Sequence, residues 1–530
     1  MMQIRAGHVH RGTRMRRFLL AALLAAGAAR AQPQGKLVVL VVVDQLRYQD
    51  LLWLKDEFGP AGFAGLGQPA QVRYQTALTH TAPGHATLST GAYAELHGVV
   101  ANRFVEGEHE REAVEDAACP VWNGKRGLGA GALQMPTVGD ALKLATGGRA
   151  RVLSVAFKDR GALFLAGRSA DLALWWDLDR GELTSSSCYA PGPPAWLAEL
   201  QKAHPVSEWK DWTWNLSRPE SAYARRAEGQ SEHRETYGLG PSFPHRVGQG
   251  DLSKRLYRAL RATPPSTTIV LRAARAGAEA MQLGGRGETD LLLLSLAGLD
   301  YVGHSFGTAS RERMDLLLRM HDELGAFLAG LRSRLGDRVA VLLSSDHGAT
   351  PSPGTAAAVR QRALLLRNAD LAAVVQKALD EALGPHQGWV LTLDDGVLGL
   401  RRFPGVDPAR AAEVAARSLR GVTGLWKAVT AAEIDREPAL VRHAFFPGRS
   451  SDVLFVPGPL AAITGPDDAA THGSPWTDDA LVPLLARAPG FALRRGGMLE
   501  ATQVAPSLAL LLGIAPPAGA FADPALDAVK

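Results

Sequence analysis

The chain has 530 residues, of which 46% are hydrophobic and 21% charged, a composition that excludes a disordered chain or a coiled coil. The formal net charge is +5, but Lys and Arg form no dense block beyond the N-terminus, so we expect no nucleic acid as a specific partner. The length allows two or three domains, although large α/β enzymes often build one core and extend it by insertions.

The N-terminus has the pattern of an export signal. A basic stretch at residues 14–17 precedes a short apolar run that starts at Phe18, and Ala29-Arg30-Ala31 has the A-x-A form of a cleavage site. The run is too short to span a bilayer as a mature helix, which needs about 20 residues. We therefore predict a signal peptide over residues 1–31 and a periplasmic or secreted protein without a membrane span in its mature form. A membrane anchor or an amphipathic tail is the alternative.

Short apolar runs along the chain indicate strands that are buried on both faces. They are Lys36–Val43, Leu291–Leu296 and Val339–Leu343. Continuous rather than alternating runs are typical of a parallel sheet covered by helices. Helical patterns follow at 311–335 and at 371–383, and Asp370 is a candidate cap for the second helix. We predict an α/β sandwich with a mostly parallel central sheet flanked by helices.

Two regions interrupt this alternation of strands and helices. Residues 162–250 are rich in Trp, Ser, Pro and Gly, and residues 388–459 contain more Pro, Gly and short strand-like runs. We interpret both as insertions that cap the core. The only cysteines, Cys119 and Cys188, are too few for a disulfide scaffold. They could pair in an oxidising compartment or stay separate buried thiols, and the sequence leaves both alternatives open.

Carboxylates and histidines gather near the ends of the predicted strands. The carboxylates are Asp44, Asp300 and Asp346, and the histidines are His304, His347 and His472. Ligands of open α/β sheets bind at the carboxyl ends of the strands, and converging carboxylates repel one another unless a cation neutralises them. Each residue alone has a simpler explanation, as a helix cap or a surface histidine. Their combination favours a zinc site, because zinc prefers imidazole and carboxylate ligands.

The segment Thr81-Ala-Pro-Gly-His85 has the pattern of a loop that enters a helix. Proline is tolerated in a first helical turn, and a helix N-terminus attracts phosphate. The hydroxyl of Thr81 would then lie close to the metal site, although an ordinary N-cap is the simpler interpretation of an isolated threonine. We interpret His85 and His97 as structural residues.

Seven segments carry a further signal. They are VVVDQLR at Asp44, THTAPGHATLSTG at Thr81, HGVVANRF at Asn102, SVAFKDRGA at Lys158 and Arg160, GLDYVGHSFG at Asp300 and His304, SSDHGA at Asp346 and His347, and THGSPW at His472. Together these motifs resemble those of the phosphate-irrepressible alkaline phosphatases, a nucleotide pyrophosphatase/phosphodiesterase-like branch of the alkaline phosphatase superfamily. The resemblance spans nearly all of the mature chain. It implies an alkaline-phosphatase-like catalytic domain over residues 32–530.

The resemblance also implies the roles of individual residues. One Zn²⁺ would be held by Asp300, His304 and His472, and a second Zn²⁺ beside Thr81 by Asp44, Asp346 and His347. Zinc would lower the pKa of the Thr81 hydroxyl, so that Thr81 becomes a covalent nucleophile. Phosphoryl oxygens would be bound by Asn102, Lys158 and Arg160. The expected enzyme is a monomeric, zinc-dependent alkaline phosphatase that acts on a broad range of small phosphate monoesters.

Three other functions deserve comparison with this one. A phosphodiesterase or nucleotide pyrophosphatase could use the same two-zinc site, but two cations at Lys158 and Arg160 favour a dianionic monoester. A sulfatase needs a C/S-x-P-x-R signature, and the segment at Thr81 lacks that arginine. A non-catalytic metal- or phosphate-binding protein of the cell envelope would be expected to lose Thr81 or a ligand, and none is missing.

Overall fold

The computed structural model describes residues 37–529, apart from 108, 123, 125, 225–236, 352–362, 387, 395 and 466–467. The predicted signal peptide lies outside the described residues. Within the described ranges, no helix combines the length and the apolar character needed to cross a bilayer.

The strands have the following bounds. They are β1 Leu37–Val43, β2 Ala70–Arg73, β3 Arg103–Glu106, β4 His109–Glu112, β5 Glu115–Pro120, β6 Gly127–Leu128, β7 Val152–Ala156, β8 Leu172–Asp177, β9 Glu182–Thr184, β10 Thr213–Trp214, β11 His245–Arg246, β12 Asp290–Leu296, β13 Val339–Ser344, β14 Leu364–Arg367, β15 Val390–Asp394, β16 Val397–Leu400, β17 Leu425–Thr430, β18 Val453–Pro457, β19 Ala461–Thr464, β20 Leu481–Arg487, β21 Phe491–Leu493, β22 Leu499–Glu500 and β23 Leu526–Ala528.

The helices have the following bounds. They are α1 Tyr48–Trp53, α2 Thr81–Thr90, α3 Ala94–His97, α4 Val138–Ala145, α5 Asp159–Ala166, α6 Ala195–Ala203, α7 Glu220–Ala224, α8 Lys254–Ala259, α9 Pro265–Ala280, α10 Gly298–Phe306, α11 Arg311–Leu335, α12 Asn368–Leu383, α13 Pro408–Arg420, α14 Ala439–Arg442, α15 Thr477–Ala480 and α16 Val504–Leu512.

A nine-stranded sheet forms the centre of the fold, in the order β22-β2-β20-β13-β1-β12-β7-β8-β9. The inner strands β13, β1, β12, β7 and β8 pair in parallel, whereas β20 and β9 join antiparallel. Every residue of β1 and β12 is buried, and two large apolar clusters cover the two faces of the sheet. The predicted α/β sandwich with a mostly parallel centre is confirmed.

Two local predictions need correction. Asp370 does not cap its helix, because α12 begins two residues earlier and Asp370 lies in its first turn, where a carboxylate favours the positive end of the helix dipole. Asp300 does not end a strand. It is the third residue of α10, four residues beyond the end of β12, and it is therefore presented by a helix rather than by the sheet.

The two regions interpreted as insertions differ in their construction. Within residues 162–250, β8 and β9 extend one edge of the central sheet, and the following segments pack against its apolar cluster. Residues 388–459 build a separate four-stranded sheet, in the order β15-β16-β18-β17, with its own apolar cluster against α12 and α13. That either region caps the catalytic core stays a prediction.

Cys119 and Cys188 form a disulfide, which decides between the alternatives that the sequence leaves open. The bridge ties β5 to the segment after β9, where the N–H of Trp122 also donates to the carbonyl of Ser185. The two cysteines are 69 residues apart, so the bridge removes considerable freedom from the unfolded chain. Replacing both by alanine should lower the free energy of unfolding by about 2–4 kcal/mol, measured by urea denaturation. Unchanged stability would contradict this.

Candidate active site

The parallel pairing of β1 and β13 brings the first carboxylates together. Val42 lies opposite Ser344, so Asp44 and Asp346, which follow their strands by one and two residues, meet at the same edge of the sheet. His347 continues from Asp346, and its Nε2 lies 3.4 Å from Asp44 Oδ1 and 3.5 Å from Asp346 Oδ2. All three side chains are fully buried, and their ligand atoms lie within 4.8 Å of one another.

A second group forms around Asp300 on α10. Its Oδ1 lies 3.1 Å from His304 Nε2, one helical turn further on, and 3.5 Å from His472 Nε2. The carboxylates of Asp300 and Asp468 raise the pKa of His304 to about 9, although burial alone would lower it. The rings of His347 and His472 stack with centroids 3.6 Å apart. His347 therefore lies between the groups, and its ligand atom is also within 4.8 Å of those of Asp300 and His472.

His304, His347 and His472 are oriented by the same kind of hydrogen bond. Their Nδ1 atoms lie 2.8–2.9 Å from backbone carbonyls, which are those of Ala470 for His304, Gly348 for His347 and Thr79 for His472. A carbonyl oxygen only accepts, so each Nδ1–H donates and each Nε2 points at the carboxylates. Metal-binding histidines are oriented by such second hydrogen bonds. The donor set, three carboxylates and three oriented imidazoles, fits zinc.

Charge in this centre is strongly unbalanced. Lys158 Nζ lies 2.6 Å from both Asp44 Oδ2 and Asp300 Oδ2, and its side chain is fully buried. Burial and the carboxylate of Asp346 raise the pKa of Asp44 well above its usual value, although Lys158 lowers it. Burial lowers the pKa of His347 to about 3, so its imidazole is neutral, whereas His304 has a raised pKa and would release its proton on binding a metal. Three carboxylates around one ammonium form a site that bound cations would stabilise.

Thr81 begins α2 directly above these groups. Its Oγ1 lies 3.3 Å from Lys158 Nζ and 3.4 Å from His347 Nε2, and the residue is 1% exposed. A Cβ at Gly84 would overlap the Asp346 carbonyl, so only glycine allows the helix to approach the end of β13 so closely. His85 lies 2.8 Å from the Thr81 carbonyl and 3.2 Å from Asp346 Oδ2, which fits its predicted structural role.

The centre opens into a polar cavity of about 140 Å³ whose lining includes Thr81, His304 and His472. Asn102 and Arg160 line this cavity and an adjoining one of about 510 Å³. The Asn102 side-chain oxygen accepts a hydrogen bond of 3.0 Å from the Ala82 N–H at the start of α2. All ten residues that the sequence predicts for the site are therefore brought together, with Arg160 on the solvent side.

Sequence reasoning missed the residues that surround these ten. Gln45 donates to Asp300, and Arg313 donates in turn to Gln45. Lys158 Nζ lies 4.8 Å from the centroid of the Tyr301 ring. Gln45 and Tyr301 lie inside the motifs around Asp44 and Asp300, so the sequence carries a signal for both. Arg313 lies in a long helix whose pattern resembles that of a surface helix, and nothing local marks it.

A parallel sheet that ends in buried carboxylates and imidazoles, beside a hydroxyl at a helix N-terminus, forms a candidate hydrolase site whose side chains could hold metal ions. The sequence matches the family of type I phosphodiesterases and nucleotide pyrophosphatases over residues 38–475. The chain belongs to this family.

Individual relatives support the resemblance to alkaline phosphatases. The chain is 31% identical over 331 residues to the alkaline phosphatase PhoV of Synechococcus elongatus. This alignment covers 60% of the chain and 60% of PhoV. It is 29% identical over 541 residues to a protein of Myroides odoratus named a calcium-transporting ATPase, in an alignment that covers 95% of this chain and 96% of the relative. A crystal structure of the alkaline phosphatase PafA superimposes with a TM-score of 0.85 at 25% identity, over 93% of this chain and 99% of PafA.

Proposed function

We propose that the chain is a zinc-dependent phosphomonoesterase, an alkaline phosphatase that releases inorganic phosphate from a broad range of small monoesters through a phosphothreonine at Thr81. The observation that carries this proposal is the Thr81 hydroxyl, which lies between the Lys158 ammonium and the His347 imidazole at a helix N-terminus. PhoV and PafA, both named alkaline phosphatases, support it.

Two Zn²⁺ ions complete the proposed site. Asp44, Asp346 and His347 would hold one of them, and Asp300, His304 and His472 the other. When bound, zinc supplies positive charge that lowers the pKa of an attacking hydroxyl and stabilises a leaving oxygen. The oriented Nε2 atoms and the closely spaced carboxylates support this assignment.

In the proposed reaction, Thr81 Oγ1 attacks phosphorus, and its new bond forms as the bond from phosphorus to the leaving alcohol oxygen breaks. The hydroxyl proton passes to solvent water, and the leaving oxygen takes up a proton from solvent water. Water then attacks the phosphothreonine, which restores the Thr81 hydroxyl and releases phosphate. Lys158, Arg160 and Asn102 orient the phosphoryl oxygens that do not react, and positioning with charge stabilisation is what phosphoryl transfer mainly requires.

The preference for monoesters follows from charge. A monoester presents two negative charges near neutral pH and a diester one, so Lys158 and Arg160 both favour the monoester. In the Lys158→Ala/Arg160→Ala variant, kcat/KM for p-nitrophenyl phosphate should fall about 100-fold more than that for bis-p-nitrophenyl phosphate. Each lost cation accounts for about tenfold, through weaker stabilisation of the transition state.

A matched control is Lys254→Ala/Arg258→Ala, which removes the same two residue types from the exposed surface of α8, where both lie near Asp179. This pair should leave the ratio of the two substrates unchanged. Equal losses on both substrates in the Lys158/Arg160 variant would make that pair structural. A wild type that prefers the diester would replace the proposal by a phosphodiesterase or nucleotide pyrophosphatase.

The relative named a calcium-transporting ATPase adds one test substrate. The terminal phosphoryl group of ATP is also dianionic near neutral pH, so the same cations would bind it, and ATP belongs in the assay beside the synthetic esters. We further propose an exported, monomeric enzyme. The N-terminal signal pattern and the disulfide support export, because disulfides persist in oxidising compartments.

A further inference from the structure

Gln45 has an unusual backbone conformation for a residue other than glycine. It follows Asp44 at the end of β1, is completely buried and has a φ of 66°. Such a left-handed conformation is costly for a residue with a side chain, and it persists where the surroundings impose it. The contacts of Gln45 show what imposes it here.

Gln45 touches a carboxylate of each half of the site. Its backbone N–H donates to Asp346 Oδ1 at 3.2 Å, and its side-chain Nε2 donates to Asp300 Oδ1 at 2.8 Å. The left-handed turn aims the backbone at one carboxylate while the side chain reaches the other. One residue therefore spans the distance between the two groups of proposed zinc ligands.

Arg313 fixes the orientation of Gln45 from the opposite side. Its guanidinium donates to Gln45 Oε1 and to the Gln45 carbonyl, both at 2.7 Å. Because guanidinium only donates, the Gln45 amide must present its oxygen to Arg313 and its NH₂ to Asp300. The long side chain of Arg313 is fully buried, and it is anchored by Asp50 Oδ2 at 2.8 Å.

Arg313 is part of a group of charged residues that also contains Asp50 and Arg47. Burial alone would raise the pKa of Asp50, but the guanidinium groups of Arg313 and Arg47 hold it below its usual value. Two arginines therefore share Asp50, and Arg47 also interacts with the carboxylates of Asp478 and Asp479. Gly303 leaves space for the Gln45 amide, since a Cβ at this position would overlap Gln45 Oε1.

We infer that Gln45, held by Arg313, is a positioning residue that fixes the spacing of Asp300 and Asp346 and so couples the two zinc-binding halves of the site. It binds no metal itself. The inference rests on the proposed two-zinc function. Residues that orient metal ligands typically change metal affinity about 10- to 100-fold when they are replaced.

The test measures zinc affinity by competition with a chromogenic chelator, in addition to activity. Gln45→Met keeps the length of the side chain and removes its polar contacts, and it should weaken the more loosely held zinc about 10- to 100-fold. Activity should then recover to within about threefold of wild type when zinc is added in excess, because the catalytic groups are intact. Gly303→Ala, whose Cβ would overlap Gln45 Oε1 and lie 2.9 Å from Arg313 Nη1, should displace the amide and shift the zinc dependence in the same direction.

Asp315→Asn is the matched control. Asp315 lies two residues from Arg313 on the same helix, is fully buried and accepts four hydrogen bonds of 2.6 Å from groups outside the site, those of Trp214, Ser217, Tyr223 and Arg319. Its replacement should lower the melting temperature and leave zinc affinity unchanged.

Wild-type zinc affinity in Gln45→Met, or in Gly303→Ala should Gln45→Met not fold, would overturn the inference while the proposed function stands. An equal loss of zinc in Asp315→Asn would also overturn it, since the effect would then be general destabilisation. A wild-type chain that binds no zinc would instead overturn the proposed function, and the coupling with it.

Discussion

Thr81→Ala is expected to lower kcat for p-nitrophenyl phosphate by about 10⁴-fold or more, because it removes the proposed nucleophile. Thr81→Ser should keep a measurable part of the activity, since serine retains the hydroxyl at the start of α2. Acid quenching of the wild type during turnover should trap a phosphoryl group on Thr81, detected by mass spectrometry of the peptide. The loss on alanine substitution should greatly exceed any change in KM.

Thr87→Ala is the control for this experiment. Thr87 lies on the same helix, is 2% exposed and hydrogen-bonds His97 rather than the site, with 3.3 Å between Oγ1 and Nε2. Its replacement should cost stability and leave turnover near that of the wild type. If Thr81→Ala proves as active as the parent, the nucleophile is wrong, and attack by water becomes the better mechanism.

The centre of the fold could be predicted because it repeats one simple pattern. Strands buried on both faces must be apolar throughout, and the runs that end at Val43, Leu296 and Leu343 show this directly. The antiparallel partners β2 and β20 escaped prediction, because their pairing joins segments some 400 residues apart and leaves no local mark. The same limit hid the four-stranded sheet of residues 388–459, in which β18 pairs with β16 and β17 across intervening helices.

In the site, too, residues in local motifs could be predicted and residues that act through long-range contacts could not. Its reactive side chains lie in short motifs, so Asp44, Asp346 and His347 could be named from the ends of strands. The sequence predicts Asp300 at a strand end because it closely follows an apolar run, whereas Ala297 and Gly298 lead the chain into α10. Arg313 could not be found, because a buried charge on a long helix is recognisable only when its partners are known.

Removal of metal should have an effect comparable to loss of Thr81. Dialysis against a chelator is expected to abolish hydrolysis, and about two Zn²⁺ per chain should restore it, because three buried carboxylates and three oriented imidazoles converge on one centre. Zinc should also raise the melting temperature of the stripped protein, since an ion that binds only the folded state stabilises it. Full activity after exhaustive chelation would exclude zinc from the mechanism.

Replacing His472 tests whether this residue binds zinc or only packs beside the zinc ligands. His472 Nε2 lies 3.5 Å from Asp300 Oδ1, and its ring stacks on that of His347 at 3.6 Å, so His472→Ala could act through lost coordination or through lost packing. Lost coordination should lower the zinc content towards one ion per chain together with the rate, measured by elemental analysis on the same sample. His321→Ala removes another buried histidine, one that packs on Phe58, and should retain both ions. A slow His472→Ala enzyme that keeps two zinc ions would show that His472 orients its neighbours and binds no metal, because only a ligand contributes directly to the affinity of the ion.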